Sequence, residues 1–398
     1  GDLLRAEALI ESTPVDEAAM VNVVLEDFSD KTSPKPHLTK RLQESPPQNS
    51  LGDWRRNKTR GFNHEPSVTE KAVAVSLKWI VEHQKADGSW NFEHRQACNG
   101  LCDHSGKLSD CTTGATALAL LPLLGAGQTH KEGKYKLQVE KGLSYLVSRM
   151  QVHPETGGDF REGSMYAQGI AAIALCEAYA MSHDKKLIVP AQQSLNYIMY
   201  AQDPIGGGWR YQPRQPGDTS MVGWQLMAIK SGYMGYLKLN PQCVERATRF
   251  FDTVQSDGGA AYGYTESGNS PANSAVGLLS RMHLGWKQDN PALQRGIAAL
   301  AKRGPVKGQF YYNYYATQVL RHNGGELWDK WDLANRELQL STQEKEGHAA
   351  GSWYLPGDHG AEAGGRLYCT SLATMILEVY YRHLPIYKKS AVEEEFKL

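Results

Sequence analysis

One short turn recurs along the whole chain. "DGSWNF" (87–92), "GGDF" (157–160), "GGGWRY" (206–211), "GGAAYGY" (258–264), "GQFYY" (308–312) and "GSWYLPGD" (351–358) each set glycine beside an aromatic ring, at intervals of about fifty residues. A repeat of that length is one supersecondary unit that cannot bury its own apolar face. The chain is therefore constrained to stack copies of one element, each covering the next.

Each unit reads as helix, turn, helix. In "EKAVAVSLKWIVEHQ", Ala72, Val75, Leu77, Ile80 and Val81 follow a helical period, and Gly88 supplies the left-handed backbone that ends such a helix. The following "CTTGATALALLPLLGAG" is apolar on all sides, as befits an interior helix. The same pairing recurs in "VEKGLSYLVSRMQ" with "MYAQGIAAIALCEAYAM", and in four further pairs ending with "YCTSLATMILEVYYRHL". Amphipathic helices outside and apolar helices inside predict an all-α, double-layered (α/α)6 toroid of six helical hairpins. Inner helices are expected to begin near Thr112, Gln168, Thr219, Asn273, Tyr314 and Thr370, around one axis.

The ends differ from this body. Residues 1–65 mix acidic residues, Pro and Ser without a sustained period, and read as an extended N-terminal arm or linker. The toroid is expected over 66–388, and 389–398 reads as a charged tail. Of 398 residues, 43 are Lys or Arg and 43 are Asp or Glu, so no net field favours nucleic acid. No apolar run reaches the roughly 18–20 residues of a membrane helix. The compartment is open; the reading leans towards an exported or membrane-tethered protein whose targeting segment has been removed.

"QKADGSW" and "QDPIGGGW" resemble the repeat of squalene and oxidosqualene cyclases, whose α/α toroid is shared by protein prenyltransferase β subunits. The resemblance spans about residues 68–388 and recurs in register. It implies a central cavity and an apolar or isoprenoid small-molecule ligand. Packing alone accounts for the turn tryptophans Trp90, Trp209 and Trp353 as plugs between hairpins. Trp209 and Trp353 also enter the expected ligand wall, with Tyr166, Tyr211, Trp224, Tyr264, Tyr312, Tyr314 and Tyr368.

The chemistry implied by the resemblance is incomplete here. The cyclases' Asp-x-Asp-Asp-Thr run corresponds to "QPGDT": Asp218 and Thr219 match its end, while Gly217 stands where the proton-donating Asp would be. Asp218 is expected to cap the helix that follows and, as a capping carboxylate, to have a lowered pKa. The prenyltransferase zinc set is also broken, with Ser220 and Cys369 where Cys and His would stand. Asp218 remains the first catalytic candidate. Asp358, His359 and Glu362, close together before the last inner helix, are a second, able in principle to do acid–base work. Arg210 and Arg214 form a candidate anion clamp.

His94, Cys98, Cys102, His104 and Cys111 lie within eighteen residues. Their spacing suits Zn²⁺ but matches no strong signature, so no metal ligand and no cofactor are assigned. A Cys98–Cys102 disulfide, or free thiols, is the plainer expectation. Cys111 and Cys369 hold equivalent positions in units one and six and are expected as unconnected thiols, a disulfide staple being the alternative.

The leading functional expectation is thus an aromatic-lined toroid that binds an apolar or isoprenoid ligand, without either family reaction. The alternatives are a non-catalytic binding or scaffold domain, with a protein partner, and a carbohydrate-active toroid.

Overall fold

The computed structural model describes residues 67–379 except 161 and 163, together with 386, 390–393 and 396. The expected arm over residues 1–65 lies outside the described residues. Among the described residues, twelve helices make six hairpins. The outer helices are α1 (Val68–Glu82), α3 (Lys136–Arg149), α5 (Ile188–Ala201), α7 (Pro241–Val254), α9 (Pro291–Arg303) and α11 (Gly325–Thr342). The inner helices are α2 (Thr112–Gly125), α4 (Met165–Ser182), α6 (Thr219–Met234), α8 (Pro271–His283), α10 (Phe310–Asn323) and α12 (His359–Leu377). Each inner helix packs on the next, and α12 packs on α2, which closes the ring. A short helix from the tail, α13 (Ser390–Glu393), rests on α8.

Burial follows the sequence pattern. Every residue of α2 after Thr112 is buried, whereas α1 buries only one face, through Ala72, Val73, Ser76, Leu77, Trp79 and Ile80. Two two-stranded ribbons, β1 (Gln151–His153) with β2 (Gly157–Asp159) and β3 (Gln255–Ser256) with β4 (Ala261–Tyr262), tighten the turns of units two and four.

The recurring turn is a joint between units. In unit one, the Gln84 amide donates to Gly88 O in its own turn and to Gln138 O of the next outer helix, both at 2.9 Å. In unit three Gln202 does the same with Gly207 and Cys243, at 2.8 and 2.9 Å. In unit six Gln343 donates at 2.9 Å to Gly351 and to Ala72, so the last unit grips the first outer helix. The indoles of Trp90, Trp209 and Trp353 are fully buried and donate back to Ile80, Ile198 and Gln339 at 2.6–2.8 Å. Glycine is required because φ is positive and the next helix presses close. At Gly351 (φ 91°) a Cβ would lie 2.6 Å from Val75 O. Gly351→Ala is therefore expected to lose about 2–3 kcal/mol in urea unfolding, against about 1 kcal/mol for Gly304→Ala. Gly304 has φ 72° but open space around the added carbon.

Two details depart from the sequence reading. The turn of "GQFYY" is cut short: Gly308 (φ 74°) still turns, but Phe310 already opens α10, and Asn313 bonds both backbone groups of Val306 at 2.8–2.9 Å. The last inner helix begins at His359 and breaks at Gly365 (φ 60°, ψ −155°), so its ring-forming part starts at Arg366 rather than Thr370.

Candidate functional site at the mouth of the ring

Inner-helix N-termini gather at one end, and five of the six are served by the following unit; α8 opens on Pro271, which has no N–H to satisfy. Glu162 of unit two accepts from the Thr113 amide of α2 at 2.5 Å and from both threonine hydroxyls, Thr112 and Thr113, at 2.6–2.8 Å. Met165 N of α4 donates to Tyr211 O at 3.1 Å, and Thr219 N of α6 to Tyr264 O at 2.9 Å. Tyr311 N of α10 donates to Asp358 Oδ2 at 2.7 Å. Arg366 N donates to His104 O of unit one at 2.8 Å, carrying the relay across the seam. Orphan N–H groups at helix starts need acceptors, and here the neighbours supply them. Glu162 escaped the sequence reading because its clients lie about fifty residues away. Asp110, the nearer acid in sequence, is exposed.

Tyrosines fill the space inside these caps. The Tyr166 hydroxyl donates to Ser220 Oγ at 3.1 Å, and Ser220 Oγ lies 2.5 Å from the Tyr311 hydroxyl. That chain joins units two, three and five, and so crosses the mouth. Beneath it Trp224 of α6 stacks on Tyr314 and meets Tyr315 edge-on, each at 5.9 Å between ring centroids. All three are buried. The axis is therefore plugged by aromatic side chains. Burial raises the pKa of Tyr166, Tyr311, Tyr315 and Tyr368, which keeps them neutral hydroxyls rather than bases.

The open part of the mouth lies over units three and four. Tyr211 and Tyr264 are exposed, their hydroxyls 2.9 Å apart, and the Arg210 guanidinium sits 5.6 and 5.9 Å from their ring centroids. Arg214 lies over Tyr200 instead, 5.2 Å from that ring, and makes no clamp with Arg210. Asp218 caps α6 as expected, its Oδ1 accepting from Met221 N at 2.8 Å. Its other oxygen lies beside Tyr264 and Arg210, whose Nε is 3.9 Å away. The side chain is wholly buried, and that burial raises its pKa despite these partners, which corrects the lowered value expected for a capping carboxylate. A folded-state pKa above the unfolded one contributes stability at low pH that is lost as pH rises through the folded value. Asp218→Ala is expected to cost about 1 kcal/mol of cap. Asp218→Asn keeps an acceptor and should remove this pH dependence in denaturation measured from pH 4 to 8.

The structure does not bring Asp358, His359 and Glu362 into one constellation. Asp358 accepts from Gly360 N, Tyr311 N and the Tyr368 hydroxyl at 2.7–3.0 Å. His359 is exposed, and Glu362 is an exposed partner of Lys107. Trp209 and Trp353 are committed to the joints. Tyr312 turns outward, its hydroxyl donating to Gly304 O and its ring meeting Trp331 of α11. Tyr166, Tyr211, Trp224, Tyr264, Tyr314 and Tyr368 stand at the mouth or axis.

A second cluster lies at the seam of units one and six. His83, Cys98, Cys102 and His348 bring one ligand atom each to within 4.8 Å of one another. His94, His104 and Cys111 are not members: His104 stacks on Tyr354 at 4.0 Å, and Cys111 precedes α2. Burial lowers the His83 pKa to about 4, so its ring is neutral, and pushes the Cys102 thiol up to about 11. All six cysteines are free, so neither the Cys98–Cys102 bridge nor the Cys111–Cys369 staple is formed.

No protein-family profile matches the chain, and no curated protein matches it in sequence. Solved structures do match in shape. A GH76 α-mannanase from Bacteroides thetaiotaomicron aligns with a TM-score of 0.56 at 12% identity, covering 80% of this chain and 95% of that one. The type II terpene cyclase MstE from Scytonema, in complex with geranylgeranyl dihydroxybenzoate, gives 0.51 at 14%, covering 78% and 96%. Cellobiose 2-epimerase from Bacillus thermoamylovorans gives 0.53 at 12%, covering 77% and 98%. The all-α toroid is the shared feature, and likeness at these identities establishes the fold. Among the described residues, no helix is long and apolar enough to cross a membrane.

Proposed function

We propose that this toroid is a binding domain that holds a small molecule at its aromatic mouth and performs no cyclisation. Gly217 carries the proposal. A Cβ there would lie 2.6 Å from Gly208 Cα and 2.9 Å from both Trp209 N and the Phe250 ring. The position that holds the cyclases' acid is thus closed by backbone, and the remaining Asp218 is buried with one oxygen engaged as a cap. The plugged axis supports the same reading, since a long isoprenoid chain needs depth that Trp224, Tyr314 and Tyr315 occupy. The ligand lies across Tyr211 and Tyr264, with its apolar face on the rings and a polar group towards Arg210.

A flat apolar or isoprenoid-derived ring system satisfies this geometry. A carbohydrate is the second reading, favoured by the exposed Tyr211–Tyr264 pair beside Arg210 and Asp218, because sugars present an apolar face and hydroxyls together. Intrinsic fluorescence titration with isoprenoid alcohols and with α-1,6-mannotriose separates the two. Tyr211→Ala combined with Tyr264→Ala is expected to weaken the binding partner about 10-fold or more. Unchanged affinity in the double variant would move the site away from the mouth.

A further inference from the structure

We propose that His83, Cys98, Cys102 and His348 form a structural zinc site that locks the last unit of the ring onto the first. The site is independent of what the mouth binds. Three local features build it. His83 ends α1, and its Nδ1 donates to Trp79 O at 2.7 Å, which leaves the Nε2 lone pair directed at the cluster. A ring nitrogen fixed by a backbone carbonyl is the usual support of a metal-binding histidine. Between the cysteines, Asn99 (φ 52°) and Gly100 (φ 78°) make a left-handed pair, and Leu101 N returns to Cys98 O at 3.1 Å. That tight turn folds Cys102 back beside Cys98. His348 arrives from the loop after α11, in the last unit.

The cluster is close in size to the ligand shell of a small tetrahedral cation, with the His348 edge a few tenths of an ångström short. Cys102 Sγ lies 3.4 Å from His83 Nε2 and 3.1 Å from His348 Nδ1. Bond lengths of about 2.3 Å for Zn–S and 2.0–2.1 Å for Zn–N give tetrahedral edges of about 3.3–3.8 Å. Two sulfurs and two imidazole nitrogens at that size select Zn²⁺ over the oxygen-seeking Ca²⁺ and Mg²⁺. Binding releases one proton from each thiol, and the two thiolates then cancel the charge of the ion. A neutral unit is what a buried place requires: His83, Cys98 and Cys102 are each at most 5% exposed. Four protein ligands leave no open position, which makes the role structural.

The location gives the site its consequence. Three ligands belong to unit one and the fourth to unit six, 246 residues from Cys102. The same seam carries the Gln343–Ala72 bond, the Arg366–His104 bond and the Arg366–Asp103 ion pair. A closed ring must join its ends, and the ion ties the joining loops.

Metal analysis of the full chain, purified without chelator or immobilised metal, is expected to find one zinc per chain. His348→Ala, which removes the most exposed ligand, should fall to background while keeping the far-ultraviolet circular dichroism of the parent. Because a cysteine variant can fail to fold, the parent itself supplies the second arm. Stripped of metal and titrated with Co²⁺, it should develop intense visible bands of a tetrahedral thiolate complex, saturating at one equivalent and bleached by Zn²⁺. Amide exchange over residues 97–104 and 344–350 should slow about tenfold or more when Zn²⁺ is restored. A parent without zinc that gives no tetrahedral cobalt spectrum would overturn the proposal. So would a Cys98–Cys102 disulfide in the isolated protein, or full zinc occupancy in His348→Ala.

Discussion

Trp353→Ala lowers the unfolding free energy by about 3–5 kcal/mol, the range for emptying a tryptophan-sized site in a packed core. Three observations support so large an effect. The indole is fully buried, its Nε1 donates to Gln339 O at 2.8 Å, and its backbone N donates to Thr370 Oγ1 at 3.0 Å. It stands in the joint through which Gln343 reaches Ala72, so the cavity opens at the seam. Equilibrium urea unfolding, followed by circular dichroism, measures the loss. Trp353→Phe retains most of the volume and forfeits the indole bond, and should lose less than half as much. Equal losses in the two variants would show that the hydrogen bond, not the packing, dominates the joint.

Gly217→Asp destabilises the protein by about 3 kcal/mol or more and confers no cyclase activity. Restoring the residue type of the cyclase acid run would, on motif grounds alone, repair a catalytic site. Geometry predicts the opposite. The added carbon meets Gly208 Cα and Trp209 N, neither of which can rotate away, and a carboxylate would enter a buried position beside Phe250. Thermal melting with a parallel squalene assay checks both halves. A well-folded variant that makes cyclised product would show that the mouth can still host the acid.

How much of this was legible in the sequence depended on range. Helix identity was local: the apolar stripe of α1 and the all-apolar α2 announce outer and inner layers within one turn of the hairpin, and the ring follows from repeating them. Gly-aromatic joints were legible for the same reason, except in unit five, where "GQFYY" has the composition of a joint and the position of a helix start. The mouth was less legible. Tyr312 and Tyr314 sit two residues apart on one helix, yet one faces outward to Trp331 and the other meets Trp224, because a helix turns about 200° in that step. Asp218 is legible as a cap from its neighbours in sequence, but the burial that raises its pKa comes from the packed turn around it, against the lowering effect of Tyr264 and Arg210. The seam cluster was half visible. Cys98 and Cys102 lie within one eighteen-residue stretch rich in possible ligands, whereas His83 ends a helix and His348 lies near the far end of the chain. Ring closure is what joins them, and no spacing rule within one unit contains it.

The central proposal is that the mouth binds its ligand without changing it. Mass spectrometry of small molecules extracted from the purified protein, before and after incubation with squalene and with α-1,6-mannotriose, tests that proposal most directly. The expected result is a bound molecule absent from the Tyr211→Ala, Tyr264→Ala variant, with both added compounds recovered intact. A cyclised or cleaved product that disappears in Asp218→Asn would contradict it and make Asp218 a catalytic acid.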